Sequence, residues 1–179
     1  AFGGEDVRAE PHALARIVAG DEEPQKSDVE IERKYLLSAA PPVALEARGY
    51  DVAQGWLPGA RLLERVRRTK APDGTARYFR TIKFGSGVAR TEIEEEATEA
   101  LFKLLWKATK GRRVRKRRHL VPDGDRVWEI DVFRDRDLVL AEIELRSVDE
   151  IVAFPEWLAP YVTREVTDEP AFLNANLAR

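Results

Sequence analysis

The sequence predicts an α+β fold that is mainly β: an eight-stranded antiparallel sheet able to close into a barrel, with a few helices packed outside. Two observations carry this expectation. Short segments repeatedly alternate charged and apolar side chains with a period of two, as strands do when successive side chains point to opposite faces. Turn-forming sequences such as Ala71-Pro72-Asp73-Gly74 and Pro122-Asp123-Gly124 join these segments as hairpins. At 179 residues and 44% apolar content, one domain with a real core is expected.

Residues 1–27 read as an appendage, with a short helix from Pro11 to Ala19 stopped by Gly20 and then a polar loop. The domain proper spans residues 28–179. Its first strand is Val29 to Leu36, and Pro41-Pro42 opens a short helix to about Arg48. Tyr50 to Leu57, Arg61 to Lys70, Ala76 to Phe84 and Val88 to Ala97 follow as strands, the last two joined by Gly85-Ser86-Gly87. Thr98 is placed to cap a helix to Ala108, with Leu101, Leu104, Leu105 and Trp106 as its apolar stripe. Arg112 to Val121, Arg126 to Phe133 and Leu138 to Arg146 complete the strands. Val148 to Phe154 reads as helical, and Glu169 to Ala178 as a terminal helix.

Parity within the strands separates the charges. Glu30, Glu32 and Lys34 share one face of the first strand. Arg65 pairs with Arg67, Lys83 lies with Phe79 and Thr81, and Arg90, Glu92, Glu94 and Glu96 form a row. Lys116 aligns with Arg118, Glu129 with Asp131, and Glu142 with Glu144, while Ile130, Val132, Ala141, Ile143 and Leu145 face away. Solvated strand faces also carry charge. These rows, however, are chemically pure over two or more positions, and outward placement would leave the helical Leu/Trp stripe without a partner. A charged interior follows, suited to a polyanion and metal ions.

Composition narrows the chemistry. The 30 basic and 32 acidic residues nearly balance, at a net charge of −2, unlike the basic excess of a simple nucleic-acid binder. No cysteine is present, and His12 and His119 are the only histidines, which excludes thiolate sites and argues against imidazole-built zinc centres and Ser-His-Asp chemistry. Oxygen ligands favour hard cations, Mg²⁺ or Mn²⁺. The basic run Lys110 to Arg118 splits by parity into inward Lys116 and Arg118 and outward Arg113, Arg115 and Arg117. No nucleic-acid partner is therefore expected. His119 is also read as outward and structural. No apolar run reaches membrane-spanning length and no signal-peptide core is seen, so a cytoplasmic protein without membrane partners is expected. A monomer or weak homodimer fits the charged surface.

Glu30-Ile31-Glu32-Arg33-Lys34 is followed in order by Gln54-Gly55-Trp56-Leu57, Arg65-Val66-Arg67, Thr81-Ile82-Lys83 and Arg90-Thr91-Glu92-Ile93-Glu94. Lys116-Arg117-Arg118, Glu129-Ile130-Asp131 and Glu142-Ile143-Glu144 complete the series. From Asp28 to Ala178 this pattern resembles the CYTH family, the triphosphate tunnel metalloenzymes, in their short bacterial form. The resemblance implies an eight-stranded antiparallel tunnel that binds a small-molecule triphosphate. By position, Lys34, Arg65, Arg67, Lys83, Lys116 and Arg118, with Arg90 added, would hold phosphate. Glu30, Glu32 and Glu142 would hold one Mg²⁺ or Mn²⁺, and Glu94, Asp131 and Glu144 a second, water-activating ion. Glu92 lies among these metal-binding carboxylates. Glu94, Lys116, Asp131 and Glu144 form the implied catalytic set.

The implied activity is metal-dependent hydrolysis of inorganic triphosphate. Hydrolysis of nucleoside or thiamine triphosphates, class IV-type adenylate cyclisation and non-catalytic polyphosphate binding are the alternatives. Trp56 stands where many members of that family have Tyr. Pro170, Ala171 and Phe172 replace a basic residue and a Tyr in the closing helix, which puts that helix's part in phosphate binding in doubt.

Overall fold

The computed structural model describes residues 29–59, 63–84 and 89–178. The appendage 1–27 and the turn at Gly85-Ser86-Gly87 lie outside the described residues. The elements in chain order are β1 (Val29–Leu37), α1 (Pro42–Glu46), β2 (Gly49–Trp56), β3 (Leu63–Lys70), β4 (Ala76–Phe84) and β5 (Ala89–Ala97). They continue with α2 (Glu99–Ala108), β6 (Arg113–Asp123), β7 (Arg126–Phe133), β8 (Val139–Glu144), β9 (Val162–Glu165) and α3 (Asn174–Leu177).

The nine described strands belong to one antiparallel sheet, ordered β5-β4-β3-β2-β6-β7-β8-β1-β9. In addition, Val29 to Ile31 of β1 pair with Thr91 to Ala89 of β5. Turn chemistry sets two of the hairpins. Gly74 adopts φ 91° between β3 and β4, where Thr75 N donates to Asp73 Oδ1 at 2.8 Å. Gly124 adopts φ 61° between β6 and β7. Both angles favour a residue without Cβ.

The alternation read from the sequence sorts residues between two faces. On one, Tyr35, Trp128, Ile130, Ala141 and Ile143 form a buried cluster with Ala44 and Leu158. Its cover is α1 and the segment after β8. His119 is buried beside this layer, on the face of β6 opposite Lys116 and Arg118, as its parity requires.

A second cluster lies on the same face as the charged rows. It joins Leu36, Trp56, Val114, Phe133 and Leu140 to Val166, Phe172, Ala175, Leu177 and Ala178. On each strand the apolar residue sits two positions from a polar one: Leu36 from Lys34, Trp56 from Gln54, Val114 from Lys116, Phe133 from Asp131, Leu140 from Glu142. The charged interior therefore ends in an apolar floor, and the C-terminal segment seals it.

Four expectations are corrected. Val148 to Phe154 is not helical. Val152 packs on the outer cluster and Phe154 meets Tyr35 edge-on at 4.9 Å, so tertiary contacts draw the chain out along the sheet. The terminal helix is two short turns, Pro170–Phe172 and α3, broken at Leu173 with ψ 129°. Seating Phe172 and Leu177 together in the apolar floor takes that break. A ninth strand is present where none was expected, pairing Tyr35 to Leu37 with Val162 to Glu165. Helix α2 packs through Phe102, 5.2 Å from Tyr78 and 5.1 Å from Trp106, while Leu101 and Leu104 of the expected stripe are exposed. No described helix is long and apolar enough to cross a membrane.

Candidate active site

The charged rows line a cavity of about 670 Å³. Its wall includes Glu32, Arg65, Arg67, Glu94, Lys116, Arg118, Glu142 and Glu144, all named from the sequence. Lys34 and Asp131 lie directly behind it, bonded to lining residues. The side chains of Glu30, Lys83, Arg90 and Glu92 lie outside the described residues; their backbones place Glu30 opposite Arg90 and Lys83 opposite Glu92.

The groups form two constellations. On β3 to β5, Glu94 accepts from Arg65 Nη2 at 3.3 Å and Arg67 Nη2 at 2.6 Å. Thr81, fully buried, donates its hydroxyl to Glu94 at 2.8 Å and accepts from Arg65 at 3.1 Å. The Arg67 guanidinium also lies over the Phe79 ring at 5.0 Å. Both arginines are thus pre-oriented, which cuts the entropy lost when an anion binds.

On β6, β7, β8 and β1, Asp131 is inaccessible to solvent and accepts a bidentate contact from Arg118 at 2.8 and 2.7 Å, together with Lys116 Nζ. Arg118 continues to Glu142 at 2.6 Å and pairs with Glu129. Lys34 Nζ lies 2.8 Å from Glu142 and 3.8 Å from Glu32. Lys116 also donates to Asn174 Oδ1 of α3 at 3.4 Å.

Burial and neighbouring charge set the proton affinities. Burial and the adjacent Arg118 lower the hold of Lys116 on its proton, against the opposing pull of Asp131 and Glu142. Burial alone would raise Glu142, yet Lys34, Lys116 and Arg118 outweigh it and hold the carboxyl well below its usual range. Lys34 is the mirror case: burial would lower it, but Glu142 and Glu32 raise it. Burial raises Glu129 despite Arg118.

Among the described residues no three carboxylates or imidazoles converge as a ready metal cage. The oxygens of Glu94, Asp131 and Glu142 are engaged by basic groups, and Glu94 stands with β3 and β4 partners rather than with Asp131. Glu32 and Glu144 face each other across β1 and β8. Like charges directly opposed on a sheet destabilise it, so this pair suits a hard cation between them.

Sequence reasoning had not assigned Tyr50, Gln54, Glu129 or Asn174 to the site, though all four line the cavity. For Glu129 the signal was present, two residues before Asp131 on one face. Tyr50 and Gln54 share the inward parity of Val52 on β2.

Over 157 residues, covering 83% of this chain and 96% of the other, the sequence is 38% identical to an inorganic triphosphatase of Nitrosomonas europaea. The chain belongs to the CYTH, or triphosphate tunnel, family. A second relative, an inorganic triphosphatase of Acetivibrio thermocellus, is 30% identical over 158 residues, covering 84% of this chain and 93% of the other. The crystal structure of the inorganic triphosphatase NE1496 superposes with a TM-score of 0.60 at 33% identity, over 83% of this chain and 93% of that one. No protein-family model matches the chain, so membership rests on these likenesses over more than four-fifths of its length.

Proposed function

We propose that this protein hydrolyses inorganic triphosphate to pyrophosphate and phosphate inside a β-tunnel that the β1–β5 pairing closes, with Mg²⁺ or Mn²⁺ as cofactor. The observation that carries the reading is a cavity in which Arg65, Arg67, Lys116 and Arg118 each have a carboxylate partner. Two relatives that match this chain over more than four-fifths of its length are inorganic triphosphatases.

Such a cavity works by exchange of partners. Without substrate, the carboxylates neutralise the basic groups. A triphosphate replaces them, since guanidinium groups grip phosphate oxygens bidentately and ammonium groups add compact charge. The carboxylates so released, Glu94, Asp131 and Glu142 together with Glu32 and Glu144, supply the hard oxygen ligands that Mg²⁺ or Mn²⁺ takes. When bound, the ion would withdraw charge from phosphate oxygens and make water more acidic.

The protein's own groups do the remainder. Arg65, Arg67 and Arg118 hold the chain of phosphates and absorb the charge that builds as the terminal group transfers. Water attacks the terminal phosphorus, and a freed carboxylate takes its proton. The bond to the bridging oxygen breaks. Lys116 Nζ, whose proton is loosened by burial and Arg118, delivers it to the departing pyrophosphate oxygen.

Phosphate release from inorganic triphosphate, ATP and thiamine triphosphate, each with Mg²⁺, Mn²⁺ or EDTA, tests the reading. Metal-dependent turnover with triphosphate strongly preferred is expected. Preference for ATP, or formation of cyclic AMP and pyrophosphate from it, would overturn the substrate assignment. Binding without any turnover would leave a polyphosphate-binding module.

A further inference from the structure

Gln54 is buried to 2% exposure on the cavity-facing side of β2. Its Nε2 has no hydrogen-bond partner among the described residues. Directly across the β2–β3 ladder stands Arg67, whose Nε is likewise buried and without a hydrogen bond, although its Nη2 is held by Glu94. Residues opposed in this way on one face bring their Cβ atoms to roughly 5 Å. Two N–H donors, one neutral and one cationic, therefore sit side by side in the cavity wall with no acceptor among the described residues.

Buried donors are nearly always satisfied, and leaving one unmade is costly. Trp56 Nε1 and His119 Nδ1 are also buried without a hydrogen bond among the described residues, but they belong to residues that do not line the cavity. At Gln54 the missing acceptor has a natural source. The terminal amide rotates in a broad, roughly two-fold well, so its N–H can reach an oxygen in the cavity.

We propose that Gln54 is a substrate-binding residue, forming with Arg67 Nε a two-donor notch for one non-bridging oxygen of the bound polyphosphate. The assignment rests on the polyphosphate reading above. An amide suits the position because it adds a donor without a charge. A further cation there would compete with Arg65 and Arg67 for Glu94, whereas a carboxamide waits without a counter-ion. The protein bears an unsatisfied donor when empty and recovers it when the anion arrives, so binding energy is directed at one oxygen.

Steady-state hydrolysis of inorganic triphosphate by wild type, Gln54→Leu and Gln54→Glu, with thermal melting of all three, tests the notch. For Gln54→Leu, KM should rise about tenfold, the scale of one hydrogen bond to a charged group, with a much smaller fall in kcat. Its melting temperature should hold or rise, because no hydrogen bond to another described residue is lost. Gln54→Glu should bind still more weakly, since it sets a carboxylate against the anion. It also decides the matter if the leucine variant fails to fold. KM within twofold of wild type in the folded variants, with an active wild type, overturns the notch alone. A wild type that neither binds nor cleaves triphosphate brings down the functional reading and the notch with it.

Discussion

The buried charges of this cavity persist because nearly every one has an opposite within hydrogen-bonding reach. Removing charged groups from water costs several kcal/mol each unless attraction and hydrogen bonds compensate, and Asp131 shows the compensation, with Arg118 and Lys116 on its two oxygens. The same pairing makes stability depend on pH. Glu142 is held well below its ordinary carboxylate range, so it favours the folded state above about pH 4.5 and loses that contribution as pH falls through its folded value. Lys34, raised in the fold, contributes fully below about pH 10.5 and loses its share as pH climbs past its folded value. Melting temperatures of the metal-free protein in EDTA should therefore fall steeply on the acid side of pH 4.5 and again in strong alkali. A Glu142→Gln variant should melt lower at neutral pH and show a shallower acid limb. An unchanged acid limb in that variant would contradict the pairing.

Among the elements, β2 carries an unusual share of the positioning. Its inward face runs Tyr50, Val52, Gln54, Trp56 from cavity to apolar floor, and its outward face meets the end of α2. At Gly55 an added Cβ would lie 2.5 Å from Thr109 Oγ1 and 2.7 Å from Thr109 Cβ. Thr109 is fully buried and is also bonded to Trp106 O and Arg113 Nε. Gly55→Ala should therefore force α2 away from the sheet and cost about 1–3 kcal/mol by chemical unfolding; a neutral result would mean that the helix end gives way freely.

How the elements could be foreseen follows from their length and pattern. Strands β1, β5, β7 and β8 announce themselves by alternation, and the inward rows Lys116/Arg118, Glu129/Asp131 and Glu142/Glu144 follow from parity. The four-residue β9 offers too few positions for a period to register. Helix α2 was legible in extent, down to the Thr98 cap on Leu101 N at 3.2 Å, but not in orientation. Phe102 and Trp106 are one turn apart, and only the position of Tyr78 decides that theirs is the packed side. Ion pairing was beyond the sequence as well: Glu94 meets Arg65 and Arg67 only through cross-strand register, which no single strand encodes. Asn174 joins Lys116 because the C-terminal segment breaks at Leu173, a bend driven by packing against the floor.

At the scale of the molecule, one face of a single sheet holds both halves of the design. Basic and acidic rows in nearly equal number make an interior whose charges largely cancel when empty, as the proposed binding of a polyanion with cations requires. The apolar floor of Trp56, Val114, Phe133 and Leu140, sealed by Val166, Phe172 and Leu177, gives that interior an apolar end where a charged group has no favourable place. In the proposed function, a short linear substrate would meet Arg65, Arg67, Lys116 and Arg118 at the polar end rather than the floor. The overall charge of −2 shows none of this, because the functional cations are cancelled by the carboxylates set beside them.

The partner exchange between carboxylates, cations and triphosphate is tested most directly by following inorganic triphosphate with phosphorus NMR as Mg²⁺ is titrated into wild type and Glu32→Gln. Wild type should convert it to equal amounts of pyrophosphate and phosphate only once the metal is present. Glu32→Gln should still bind triphosphate, yet cleave it at least about a hundredfold more slowly, the scale of a lost group acting in the transition state. Cleavage by Glu32→Gln at the wild-type rate across the titration, or by wild type in EDTA, would contradict the exchange.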